Sequence, residues 1–395
     1  MEITFWSGIG LITYTYIGYP VLLYILIKIK KIFNATERQF YTLNEMPEVS
    51  LIIACYNERE IIREKIENTL KLNYPSDKLN IYFVTDGTSD GSEAIINEYN
   101  EITLYHSDER KGKNAAINRI LPFMKSPILI FCDANTFLNG DAILNIARHY
   151  KSEKVGAVAG EKRVMADGAN DMAGSGEGAY WKYESALKKW DSELHTVVGA
   201  AGELFSVRRE LMPVVPDGIL IEDFYVSMRI AQEGFKVVYE PDAYAMETGS
   251  DSIAEERKRK VRIAAGGIQS ILIFIPLLNI FKYGWLSFQY VSHRMLRWSL
   301  TPLSLLIVFI INIYLAIIFG GIYVILMGLQ ILFYLIALAG AFVEGKSKIP
   351  KIILLPFYFT FMNLSVYQGF IRLLKGKQSA VWEKSKRKKT SVDTK

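Results

Sequence analysis

Cysteine is nearly absent: Cys55 and Cys132 are the only two in 395 residues. A single pair cannot make a disulfide framework, and it argues against a cysteine-based zinc site. Charge is also scarce, with Asp, Glu, Lys and Arg at 22% and aromatic residues at 13%. That balance excludes a disordered chain and a nucleic-acid-binding one. What the chain has in excess is apolar residues, 50% of the total. They are unevenly placed, because the stretches 3–27, 263–281, 299–343 and 352–371 contain no Asp, Glu, Lys or Arg. The composition is that of a membrane protein with a sizeable water-soluble domain.

A bilayer core takes about 20 mostly apolar residues per helix. Residues 3–27 meet that length and read as an uncleaved transmembrane anchor. A signal peptide would need a positive n-region and a small-residue cleavage site, and neither is present. Residues 299–343, with Gly320-Gly321 near the middle, read as a helical hairpin of two spans, 299–319 and 322–343. Residues 352–371 are just long enough for a further span, weakened by Pro356, Asn363 and Gln368. Residues 263–298 read as interfacial helices. Lys28, Lys30 and Lys31 follow the first span, so the positive-inside bias places the 28–262 unit in the cytosol of a multi-pass plasma-membrane protein. The basic tail 372–395 carries nine Lys or Arg against two acids. Its charge puts it inside, whereas four spans put it outside.

Within 28–262 the pattern changes. Val49–Ala54, Leu79–Thr85 and Ile128–Cys132 are short, continuous apolar runs that suit buried parallel strands. Residues 58–72, 91–99 and 114–123 between them read as helices with polar faces. Alternating β and α implies an α/β fold with a mostly parallel sheet, ligands binding beyond the carboxyl ends of its strands. Those ends run into Tyr56-Asn57-Glu58, Asp86-Gly87 and Asp133-Ala134-Asn135. Asp86-Gly87 alone reads more readily as a plain turn than as a ligand site. Asp133 and Asn135 offer hard oxygen donors for Mg²⁺ or Mn²⁺, with substrate phosphates completing the shell; capping of the next helix is the simpler alternative. Arg110 to Asn114 opens a helix where a lysine and free N–H groups can hold phosphate, or forms a solvated basic turn.

These motifs, in this order, resemble the family 2 glycosyltransferases, inverting enzymes of GT-A fold, over residues 49–266. The resemblance implies that Tyr56 and Glu58 face the nucleobase and ribose, that Asp86 contacts the base, and that Lys113 in KNAAIN contacts the diphosphate. FCDAN stands in the place of the family's metal-binding DxD, with Asn135 at its third position. Ile221-Glu222-Asp223 resembles the base motif, which makes Asp223 the base and Glu222 its supporting neighbour. Inverting transfer needs one such base to take the acceptor's proton. Gly202 and Glu203 resemble the acceptor-side segment, and Trp181, Tyr183 and Glu184 line that side or pack in the core.

Processive members carry QxxRW after the base. Arg259 to Gly266 matches its position, so Arg262 inherits the phosphate contact while Ile263 replaces the tryptophan. An isoleucine gives no flat surface for a sugar ring, which counts against processive synthesis. Arg294-Met295-Leu296-Arg297-Trp298 lies further on, directly before a span, where Arg and Trp are ordinary interfacial anchors; an approach to the acceptor from there stays open. The expected activity is transfer from a nucleotide sugar, a UDP-sugar first, to a growing polysaccharide or lipid-linked glycan, with cellulose, chitin, hyaluronan and poly-N-acetylglucosamine synthases as relatives and room for a secretion partner. The alternatives are a single addition to a lipid carrier and a degenerate sugar-nucleotide sensor.

Overall fold

The computed structural model describes residues 1–33, 40–165, 172–342 and 350–376. Its centre is an eight-stranded sheet of β1 (Val49–Cys55), β2 (Leu79–Thr85), β3 (Ile102–Tyr105), β4 (Ile128–Asp133), β5 (Phe137–Leu138), β6 (Val155–Met165), β7 (Leu204–Arg208) and β8 (Lys236–Thr248). The strand order is β3-β2-β1-β4-β7-β6-β8-β5. The three apolar runs expected as strands are β1, β2 and β4, paired in parallel. β1 is buried along its whole length. Its side chains alternate between two cores: Leu51 and Ile53 join Phe83 and Ile130 on one face, while Ile52 joins Val84, Leu129 and Phe131 on the other. Truncating any of these to alanine costs about 2–5 kcal/mol.

The sheet departs from the parallel pattern at β7, which runs antiparallel to β4 with Leu204 opposite Cys132. That inversion brings the chain just before β7 to the rim where β4 ends. The first of the expected helices begins later than the sequence suggests, since Ile62–Leu70 starts only after a turn in which Asn57 holds a positive φ of 53°. Asparagine tolerates that region better than most residues. Its side-chain oxygen accepts the Ser89 N–H at 2.9 Å and ties the two strand ends together.

Four helices among the described residues are long and apolar enough to cross a membrane: Glu2–Phe33, Leu300–Phe319, Ile322–Phe342 and Ile352–Leu374. Gly320 and Gly321 both take positive φ at the hairpin turn, a conformation that glycine adopts without steric cost. The boundary drawn at 262/263 falls inside one continuous helix, Ile253–Ile273. Its glycines do not interrupt it because they admit neighbours: the positions where Cβ atoms of Gly266 and Gly267 would stand are filled by Ile221 and Trp298. Lys30 is more than a charge next to an apolar segment. Its ammonium bonds the carbonyls of Glu193 and Leu194 at 2.8 and 2.7 Å, capping the helix Met172–Leu194. Of the tail, residues 377–395 lie outside the described part.

Candidate active site

The carboxyl ends of β1 and β4 and the first turn of the helix Glu222–Gln232 open onto one cavity of about 2790 Å³. Asp86, just past β2, turns one carboxylate oxygen onto the N–H groups of Lys111 and Gly112, at 3.0 and 2.6 Å. The other oxygen is buried and accepts no hydrogen bond, with the Arg119 guanidinium 3.9 Å away. Tyr56, on the adjoining loop, is covered by the Arg110 guanidinium 3.9 Å above its ring. The two form a stacked pair. Glu58 is buried and lines the cavity.

Lys113 stands at the centre. Gly112 precedes it with a φ of 97°, which points the first helical turn inward. The Lys113 ammonium lies 2.7 Å from both Asp133 and Glu222. Burial works against its charge, but the two carboxylates outweigh that and hold it well above the ordinary lysine range. Asn118, in the same motif, is turned away and straps the backbone of Val215 from both its amide atoms.

Glu222 and Asp223 occupy the first turn of their helix, where the dipole favours negative charge. Burial tends to neutralise Glu222, yet Lys113, aided by Arg262, keeps it ionised and below the usual range. Asp223 is driven the other way. Burial, then the neighbouring Glu222 charge, pushes it up to about 7. Two adjacent carboxylates thus have their titrations pulled apart, the arrangement that separates acid–base roles in a site. Asp223 Oδ1 accepts the Phe224 N–H at 2.8 Å, and Oδ2 lies 3.3 Å from where a Gly202 Cβ would be. A side chain at position 202 would crowd the base.

Glu203 lines the same cavity but is held by Lys162 at 2.6 Å. Despite burial, that contact lowers it to about 2, so it serves as a fixed charge. Trp181 lines the cavity with the ammonium groups of Lys162 and Lys188 at 5.1 and 5.0 Å from its ring. Arg262 also lines the cavity.

Asp133 and Asn135 end β4, and the Asn135 side-chain oxygen is buried with no hydrogen bond. Among the described residues no group of three or more His, Cys, Asp or Glu could hold a metal. Asp133 and Asn135 are hard oxygen donors of the kind a divalent cation takes alongside substrate phosphates, and Asp133 is paired with Lys113 at 2.7 Å.

Two features were missed or left open in the sequence. Trp298 packs over Gly267, one turn beyond Ile263 on the same helix, and meets Phe224 edge-on at 5.2 Å. An aromatic ring therefore reaches the cavity wall from the later segment. Lys188 also lines the cavity; its spacing from Trp181 and Glu184 on one helical face was the available signal.

Residues 50–213 match the family model described as glycosyl transferase family 2. This is a family 2 glycosyltransferase domain. The poly-β-1,6-N-acetyl-D-glucosamine synthase of Staphylococcus aureus is 27% identical over 274 residues, covering 64% of this chain and 65% of that protein. The β-monoglucosyldiacylglycerol synthase of Trichormus variabilis is 28% identical over 165 residues, 40% of this chain and 34% of that protein. The chain thus spans less than two thirds of these relatives' length. A mannosyltransferase from Pyrobaculum calidifontis, solved with GDP-Man and Mn²⁺, has the same fold at a TM-score of 0.68 and 20% identity, over 95% of this chain and 100% of that one. The family 2 enzyme is related to polysaccharide and glycolipid synthases, and its GT-A fold is as the motifs imply.

Proposed function

We propose that the chain is a membrane-bound, inverting glycosyltransferase that takes a sugar from a nucleotide donor, a UDP-sugar first, and passes it to a growing polysaccharide or lipid-linked glycan. The observation carrying this reading is the pair at the helix start: Asp223 pushed up to about 7 beside an ionised Glu222, with Gly202 leaving room against it. A base that titrates near neutrality both takes a proton and can hold it.

In the proposed reaction the acceptor hydroxyl gives its proton to Asp223 while its oxygen bonds to the anomeric carbon. The bond from that carbon to the nucleoside diphosphate breaks on the opposite side, and its electron pair stays on the leaving oxygen. Lys113 and Arg262 face that charge, and preorganised cations in a sheltered cavity stabilise it strongly. Tyr56, Glu58 and Asp86 hold the nucleoside, with Asp86's unbonded oxygen accepting from the base. Asp133 and Asn135 would hold a divalent cation, Mg²⁺ or Mn²⁺, which when bound neutralises diphosphate charge. Gly202, Glu203 and Trp181 bound the acceptor side.

By this reading residues 3–27 anchor the chain, 28–262 form the catalytic unit, 263–298 lie at the membrane interface, and 299–371 cross it. Lys28, Lys30 and Lys31 support a cytosolic catalytic unit at the plasma membrane. The test is release of nucleoside diphosphate by the full chain in detergent, screened over a panel of nucleotide sugars with and without Mn²⁺. One productive donor, no turnover by Asp223→Asn, and retained donor binding by that variant are expected. No turnover with any donor, in membranes as in detergent, would reject the reading.

A further inference from the structure

The cavity does not end at Asp223. It continues between the membrane-crossing helices, where Ile9, Leu305, Val308, Leu329, Phe333 and Met362 line it. Several polar groups in this inner part are turned onto one another: Asn312 donates to Gln330 at 3.0 Å, its own side-chain oxygen accepting nothing, and Asn363 accepts from Tyr16 and donates to the Phe359 carbonyl. A sugar chain brings many hydroxyl groups that each need a partner. A hydrocarbon tail needs none.

In the lining of the same cavity, beside Trp181, stands Lys188. It is 2% exposed, lines the cavity, and makes no hydrogen bond or ion pair with any described residue. The carboxylates around it are occupied. Glu184 pairs with Arg294 and Arg297, Glu203 with Lys162, and Glu161 accepts from the hydroxyls of Ser185 and Tyr239. The Trp181 ring, 5.0 Å away, offers a weak cation–π contact and no countercharge. Burial lowers its pKa, outweighing Glu184, Glu161 and Glu203, which attract it through space without pairing with it. Lys188 is thus a buried cation in the cavity lining with no ion-pair partner among the described residues. Glu203 acts electrostatically on both Lys188 and Asp223, so it stands near each.

We infer that the acceptor is a lipid phosphate, its apolar tail lying between the membrane-crossing helices, its phosphate on Lys188 beside Trp181, and its sugar or phosphate-linked hydroxyl reaching Asp223. This rests on the transferase reading for the site and names the acceptor class within it.

The test is equilibrium binding to the full chain in detergent, without donor, of farnesyl phosphate, farnesol, inorganic phosphate and a soluble chitin tetrasaccharide, each followed by native mass spectrometry. Farnesyl phosphate should bind at least about tenfold more tightly than farnesol or phosphate, as expected for one charge-assisted contact added to an apolar one. Lys188→Gln should abolish that difference and Lys188→Arg restore part of it. Leu305→Trp, which narrows the passage and leaves the cation in place, should weaken farnesyl phosphate and farnesol together. Equal binding of farnesyl phosphate and farnesol would overturn the inference. So would binding of the tetrasaccharide that survives Leu305→Trp, or preference for farnesyl phosphate unchanged in Lys188→Gln. Binding is read without turnover, so an inactive Asp223→Asn that still takes farnesyl phosphate supports both claims, and a transferase that ignores it loses only this one.

Discussion

Glu222 and Asp223 are consecutive in one helical turn, yet Lys113 holds the first ionised while the first, together with burial, holds the second near 7. As a base, Asp223 works only when deprotonated. Initial rates should therefore rise with pH through about 7 and level off above it. Glu222→Gln removes the like charge and should move that rise to lower pH. A rise left unmoved would mean that the profile belongs to another group.

Asp223→Asn should cut turnover by about 10²–10⁴-fold, the usual worth of a positioned base, while donor affinity is kept. It should also raise the melting temperature at pH 8. The folded-state pKa lies above the ordinary value of 3.8, so the folded chain binds the proton more tightly than the unfolded one. Stability is then lost as pH rises from about 4 to 7, and an asparagine escapes that loss. Melting curves at pH 5 and pH 8 measure the difference.

Gly267→Ala should disturb the acceptor side from a distance. The added Cβ would stand 2.4 Å from the Trp298 ring, so the ring must move. Overpacking of this kind costs about 1–3 kcal/mol. Turnover should fall with donor affinity preserved, seen as a loss in kcat at unchanged donor KM. The same variant at Gly10, which has nothing within 4 Å of its Cβ position, should be neutral.

Lys162→Met should destabilise the fold by about 3–5 kcal/mol, the cost of breaking a buried ion pair from one side. Lys162 is buried between Glu203 and Glu247, and its loss leaves their charge uncompensated. A lowered melting temperature, partly recovered by the double variant Lys162→Met with Glu203→Gln, checks this.

Donor binding should depend on divalent metal and on the end of β4. Asp133→Ala should reduce metal-dependent nucleotide affinity and also free Lys113 from one of its partners. Equal affinity with and without Mn²⁺ in the wild-type chain would count against the Asp133–Asn135 assignment.

Much of this was legible in the sequence because strands buried on both faces write themselves as unbroken apolar runs. β1, β2 and β4 were readable for that reason, and the carboxylates Asp86 and Asp133 stand where those runs stop. β7 was not, because a short strand entering antiparallel has no distinctive period of its own. The site residues that came from local motifs, Lys113, Glu222 and Asp223, do meet in one place. Trp298 and Lys188 were harder. Their positions depend on how helices distant in sequence pack, Trp298 across Gly267 and Lys188 behind Trp181. Local patterns carry no record of such long-range packing. Ile263 presents no aromatic ring, while Trp298 from the later segment lines the same cavity.

The antiparallel pairing of Leu204 with Cys132 has a further meaning. On the proposed assignment, the metal-side residue Asp133 ends one strand and the acceptor-side residues Gly202 and Glu203 precede the next, so the two halves of the proposed reaction meet on neighbouring strands. Neighbouring strands are about 4.8 Å apart. In the proposed reaction the gap the sugar would cross is gauged by backbone hydrogen bonds, which no side-chain substitution resets, leaving the surrounding loops free to change which sugar is accepted.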